Sequence, residues 1–183
     1  LVIRAYSPVT TMGGGLVAEP APPKRNRLTD LQRDQLNQLV DGSVEERSSA
    51  AVALAGWAGV TQARLPIVTG ATPPECADAV HSILSEGVLR AGTLLVSAAV
   101  RQEAEERVLA ALDAGHVEDS LRVSVPLARI RAGLPDWAPP ELADPIIDAL
   151  CDAGKLERAD GGVRRAGFRP ELTPDQEAAS ARL

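Results

Sequence analysis

Four arginines, Arg158, Arg164, Arg165 and Arg169, fall within twelve positions near the end of the chain, and they are its main candidates for binding chemistry. A planar guanidinium presents a donor fork that matches two phosphate oxygens. Two readings of the cluster stay open: a wing that contacts RNA phosphates, or a solvated edge whose arginines pair with neighbouring Asp160 and Glu171. Little else in the chain points to chemistry. His116 follows Gly115 at a turn signal, and no Cys, Asp or Glu set stands around it at metal-ligand spacing, so no metal is expected. Cys76 and Cys151 lack a Cys-x-x-Cys or Cys/His pattern and sit in apolar helical stretches, so both are expected as buried small hydrophobes in a reducing cytoplasm. No Ser/His/Asp grouping or P-loop is present, and Gly13-Gly14-Gly15 lacks the strand-to-helix setting of a phosphate cradle. These residues predict no catalytic site, no nucleotide site and no cofactor.

The arginines need a scaffold, and composition bounds it. The chain has 183 residues, 45% of them hydrophobic but only 2% aromatic. Cores built from Leu, Val, Ile and Ala suit short packed helices better than a β-sandwich. No apolar run reaches the ~18 residues of a membrane span. The net charge of −6 is uneven: residues 1–27 carry +3, residues 28–115 carry −6 and residues 116–183 carry −3. An acidic body lacks the general attraction to phosphate that supplies most nonspecific nucleic-acid affinity, so RNA contact has to be local.

Along the chain, residues 1–18 read as strands around Ser7-Pro8 and the glycine run, with no initiator Met and no leader pattern ahead of them. They are expected to be the last strands of an all-β domain, cut from a larger protein and poorly ordered alone, because two strands are marginal without their sheet. Residues 19–27 form a Pro-rich, basic connector. From Leu28 the apolar period becomes 3.6: a first helix uses Leu28, Leu31, Leu36, Leu39 and Val40, a second runs from Val44 to about Ala58, and a short one spans Thr61–Val68.

An internal repeat then appears. TPPECADAVHSILSEG (72–87) and APPELADPIIDALCDAG (138–154) match at an offset of 66, with one inserted residue bringing Gly87 onto Gly154. Each copy opens on prolines, has Glu in its first turn and closes on Gly, as helices do. His81 falls opposite Ile147 in this alignment, which predicts a partly buried packing role. After each copy, Val88–Val96 and Leu156–Arg164 read as β-hairpins around glycine turns. Before each stand a short helix (Leu65–Val68; Val125–Ala132) and a longer one (Val44–Ala58; Arg101–Ala114). Helix, short helix, helix and hairpin make a winged helix-turn-helix. The fold class expected is mainly α with small β-hairpins (α+β). Tandem winged-helix modules at 28–98 and 99–168 follow a β-barrel remnant at 1–27, and 169–183 starts a third module with Thr173 as cap and Pro174 at the first helical position.

A DNA-reading winged helix places Arg, Lys, Asn or Gln on its recognition helix. Here the first copy carries Glu75, Asp78 and Glu86, and the second Glu141, Asp144, Asp148 and Asp152, which a phosphate-lined groove would repel. A tandem winged-helix DNA-binding or protein-interaction regulator is the competing class. It requires basic recognition helices and leaves Leu1–Pro20 unexplained.

That opening segment, LVIRAYSPVTTMGGGLVAEP, resembles the end of the third, β-barrel domain of bacterial selenocysteine-specific translation elongation factors. Ser7, Pro8, Val9, Thr10, Thr11, Gly13, Gly14, Gly15, Val17 and Pro20 match that family's pattern, while Met12 and Ala18-Glu19 depart from it. In the family an arm of winged-helix modules follows the barrel. The run Gly167–Gln176 is similar to the junction between the second and third modules, with Gly167-Phe168 in place of Gly-His. The resemblance implies a cytoplasmic, GTP-dependent (Mg-assisted) parent protein. It would deliver selenocysteinyl-tRNA to a ribosome at a UGA codon beside an mRNA insertion hairpin. This stretch would be a monomeric spacer, with the GTPase, tRNA-binding and hairpin-reading parts lying elsewhere.

Overall fold

The computed structural model describes residues 1–24, 26–119 and 121–168. The chain is mainly helical with small antiparallel sheets, an α+β fold. Contacts group it into two compact units, residues 1–88 with 93–97, and residues 89–92 with 98 onward.

The chain opens on an antiparallel ribbon of β1 (Val2–Arg4) and β2 (Thr11–Gly14), pairing Val2 with Gly14 and Ile3 with Gly13. A bulge between Ile3 and Arg4 shifts the register, as the glycine-rich partner strand permits. Leu1, Val2, Ile3, Tyr6, Val9 and Met12 are all exposed, so the ribbon buries almost nothing.

In the first unit, α1 (Asp30–Asp41) and α2 (Val44–Ala55) each start with a reciprocal capping box. The Gln32 N–H donates to the Thr29 hydroxyl at 3.2 Å and Thr29 N–H to the Gln32 side-chain Oε1 at 3.1 Å; Ser43 and Glu46 repeat the exchange at 3.2 and 2.7 Å. Gly42 separates them where a Cβ would stand 2.5 Å from the Gln38 carbonyl. The alanines of α2 let α1 and α4 (Pro73–Ser85) approach closely, and Leu39, Val52, Leu54, Leu65, Val80, Ile83 and Leu95 fill the core. Of the apolar positions expected to mark α1, Leu39 is buried while Leu31 and Val40 are exposed.

The stretch expected as one short helix at 61–68 divides: β3 (Val60–Thr61), a 3-10 turn and α3 (Leu65–Thr69), closed by Gly70 in the left-handed region. β4 (Leu89–Ala91) and β5 (Leu94–Val96) form the expected hairpin, and β3 makes the sheet three-stranded in the order β3-β5-β4.

The second unit begins with α5 (Ala98–Glu118), a single helix of 21 residues. Val100, Ala104, Val108, Leu112 and His116 line its buried seam at intervals of four residues. Gly115, expected to stop this helix, lies inside it; a Cβ there would meet the Val125 side chain at 2.7 Å, so glycine serves close packing. The same arrangement of elements follows: β6 (Val125–Pro126), α6 (Leu127–Arg131), a 3-10 turn at Pro140–Leu142, α7 (Ala143–Asp152), β7 (Leu156–Ala159) and β8 (Gly162–Arg165). The sheet order is β6-β8-β7. Gly162 faces Pro126, and a Cβ there would fall 2.0 Å from the Val125 carbonyl, so this pairing excludes every other residue. Val125, Ile130, Leu142, Ile146, Ile147, Leu150, Leu156 and Val163 make the core.

The two copies of the repeat align differently in space than in sequence. The buried residues of α4 are Cys76, Ala79, Val80 and Ile83, and those of α7 are Ala143, Ile146, Ile147 and Leu150, an offset of 67 throughout. The inserted residue is absorbed before α7, in the 3-10 turn, and not within the helix. His81 therefore corresponds to Asp148 and not to Ile147. It is exposed, with Nδ1 2.8 Å from the Ala77 carbonyl, which corrects the packing role expected for it.

Candidate nucleic-acid interface on the second hairpin

The cross-strand register of β7 and β8 places Glu157 opposite Arg164, Arg158 opposite Val163 and Leu156 opposite Arg165. Leu156 and Val163 turn into the core and leave the charged side chains at the sheet's margins. Every arginine of the cluster within the described residues meets a carboxylate. Arg165 binds Asp113 of α5 bidentately, at 2.8 and 2.6 Å. Arg164 holds Glu157 at 2.9 Å through Nε and 2.7 Å through Nη2. Arg158 donates to Asp148 on α7. Arg169 and Glu171 lie outside the described residues, as does the start of a third module at 169–183.

The partners seen among the described residues are not the expected Asp160. Asp160 takes none of these arginines; its backbone carbonyl accepts from the Ser124 hydroxyl at 2.9 Å. Strand register selects Glu157, while α5 and α7 present Asp113 and Asp148 from the hairpin's flanks. The arginines depress the carboxyl groups they hold. Asp113 lies below the usual carboxylate range chiefly through its hydrogen bonds from Arg165, with its partial burial opposing, and Glu157 is lowered by Arg164 and then by the Gly167 N–H.

The arginine side chains remain 52% (Arg158), 33% (Arg164) and 35% (Arg165) exposed. Exposed pairs of this kind contribute about 0–1 kcal/mol, so a phosphate could displace a carboxylate at small cost. The hairpin is thus a compensated basic surface rather than an open one.

A second basic group, Arg122, Arg129 and Arg131, escaped the sequence reading although it spans only ten positions. It is compensated in the same way: Arg122 lies 3.4 Å from Asp119, Arg129 donates to Glu118, and Arg131 reaches both oxygens of Asp144 at 2.8 and 3.0 Å. The faces of α4 and α7 that a groove-reading helix would use expose Glu75 and Asp78 in one copy and Asp144, Asp148 and Asp152 in the other.

His116 lies in α5, buried to 7% exposure, and not in a turn. Its ring stacks on Phe168, centroids 3.7 Å apart and planes at 25°. Cys76 is buried and Cys151 half-buried, both as free thiols; burial raises the Cys151 thiol above its ordinary value. Gly13 and Gly14 lie in β2, which no helix follows directly. Among the described residues no three His, Cys, Asp or Glu side chains gather as a metal site, and no helix is long and apolar enough to cross a membrane. No protein-family model matches this chain, and no curated protein matches it either.

Proposed function

We propose that this chain is part of the C-terminal arm of a GTP-dependent elongation factor for selenocysteine incorporation at UGA codons. In that reading it is a spacer between the tRNA- and GTP-binding body and a distal module that binds the mRNA hairpin, and it works in the cytoplasm as a monomer. The observation that carries the reading is an order of parts. A ribbon bearing Ser7–Gly15 is followed by a Pro-rich connector and then by two units with the same winged-helix-like succession of elements. The exposed apolar ribbon supports it, since strands that bury nothing are suited to a larger sheet.

The charge layout supports a spacer over a nucleic-acid reader. Carboxylates occupy the exposed recognition-helix positions, and the hairpin arginines are held by Asp113, Asp148 and Glu157. Selenocysteinyl-tRNA, the insertion hairpin and the ribosome would be partners of the parent protein, and GTP with Mg its cofactors. The deciding test is the reading frame on the 5′ side of the Leu1 codon. A Gly-x4-Gly-Lys-Ser/Thr motif upstream sustains the proposal, and a complete upstream frame without one removes it. Calorimetric titration of this chain with GTP is expected to give no binding heat; measurable affinity would remove the spacer role.

A further inference from the structure

Among the described residues His116 is the one buried side chain of the Asp, Glu, His, Lys and Arg types, and the arm reading gives it no task. Both of its ring nitrogens are sealed from solvent without a hydrogen-bond partner. A buried polar ring without partners costs free energy that an apolar residue would not, and it costs far more once charged. Phe168 stacks on one face of the ring. Phe168 ends the turn that leaves β8: its N–H donates to the Arg165 carbonyl at 3.0 Å, and the Gly167 N–H reaches Glu157 at 3.3 Å.

We propose that the His116–Phe168 stack is a proton-operated latch: when His116 takes up a proton, Phe168 leaves the ring and the turn Arg165–Phe168 comes away from α5. The imidazolium needs water or a well-placed acceptor at its nitrogens, and in the stacked state both nitrogens are sealed from water and make no hydrogen bond.

The surrounding groups set the sign. Burial is the largest influence and holds His116 below the ordinary histidine value. Asp113, one turn earlier on α5, favours the proton, as does the Arg122 backbone from the following loop, although no hydrogen bond of normal geometry joins it to the ring. Arg165 on β8 opposes it, and its bidentate grip on Asp113 engages the nearest carboxylate. From β6, the uncharged Val125 packs against Gly115, the residue before His116. Because the folded value lies below the unfolded one, the latched state keeps its full stability above the unfolded value of about 6.5. It loses stability as pH falls from there toward the folded value. The inference concerns the second unit alone and stands whether or not the elongation-factor reading does.

Proton NMR of the whole chain carrying His81→Ala isolates His116, and Phe168 is the sole phenylalanine, so both rings report without ambiguity. The His116 Cε1–H signal should titrate below the free-histidine midpoint, and the Phe168 ring signals should move with that same midpoint. Phe168→Ala should shift the His116 midpoint upward toward about 6.5. Phe168→Leu, which keeps an apolar cover and guards against loss of folding, should shift it by less. His116→Leu retains apolar packing but carries no proton and should abolish the pH response of the Phe168 ring. The proposal is overturned by Phe168 signals that stay fixed through the His116 titration. It is equally overturned by a His116 midpoint that neither Phe168 variant moves.

Discussion

The two copies of the repeated helix and hairpin use one arrangement for different ends, and the difference lies in how each copy fastens its hairpin and the helix before it. In the first, α4 begins directly at Pro73, and the Thr72 N–H and hydroxyl both donate to Glu75, at 2.8 and 2.6 Å. In the second, two prolines and a 3-10 turn precede α7, which has no side-chain cap. The first hairpin carries one arginine, Arg90, whereas the second carries three, tied to α5, α7 and its own partner strand. Local capping thus fixes the first helix, and longer-range ion pairs brace the second hairpin. A repeat can preserve its core seam while its polar fastenings diverge, because apolar burial sets the fold and exposed polar contacts contribute little to it.

The sharpest way to break this comparison is to test the offset of 67 between the seams. Ile147→Ala on α7 removes a fully buried side chain and should destabilise the second unit by about 2–5 kcal/mol in urea unfolding. His81→Ala, at the position that sequence matching puts opposite Ile147, should change stability by less than about 0.5 kcal/mol. Comparable losses for the two would restore the sequence offset and undo the correspondence of the seams.

Most helices were legible in the sequence because their signals are local: the 3.6 period that begins at Leu28, and the opening prolines and closing glycines of the two repeat copies. The third strand of each sheet was not. Val60–Thr61 and Val125–Pro126 span two residues each, too few for an alternating pattern, and they exist because β5 and β8 offer backbone partners far along the chain. Gly115 misled for a related reason, since helix stop and close-packing glycine look alike until Val125 is in view. The hairpin arginines were found by composition, but their partners depended on register and tertiary contact, which spacing does not encode. His116 shows the same limit, because a turn and a buried seam position differ only in where the helix ends.

Thr72→Ala tests the local fastening of the first unit. Loss of the cap should cost about 1 kcal/mol, measured by thermal unfolding near neutral pH. The Glu75 carboxyl is held below its usual value first by the Thr72 hydroxyl and then by the Thr72 N–H. A depressed carboxyl stabilises the fold above its unfolded value of about 4.3 and loses that contribution as pH falls through the folded value. The variant's deficit should therefore shrink in acid. A deficit that stays constant from neutral to acid pH would show that Thr72 acts without Glu75, and the contrast between capped and uncapped helices would weaken.

The smallest effect expected concerns RNA at the second hairpin. The four arginines of the cluster, Arg158, Arg164, Arg165 and Arg169, can neutralise at most four phosphates, and each duplex phosphate neutralised adds about −0.9 to the log–log salt slope, so binding of a tRNA or hairpin RNA should be weak with a slope of roughly −2 to −4. Arg164→Ala with Arg165→Ala should flatten that slope by up to about 2, whereas Arg90→Ala in the first hairpin should leave it unchanged. Glu157→Gln with Asp148→Asn should act in the opposite direction, because it frees Arg164 and Arg158 from the carboxylates that now occupy them. Fluorescence anisotropy across a salt series measures all of these. If the double arginine variant binds as the parent chain does while a substitution on α7 abolishes binding, the contact surface is the helix and not the hairpin. The acidic face of α7 would then have to be read as something other than a spacer's surface.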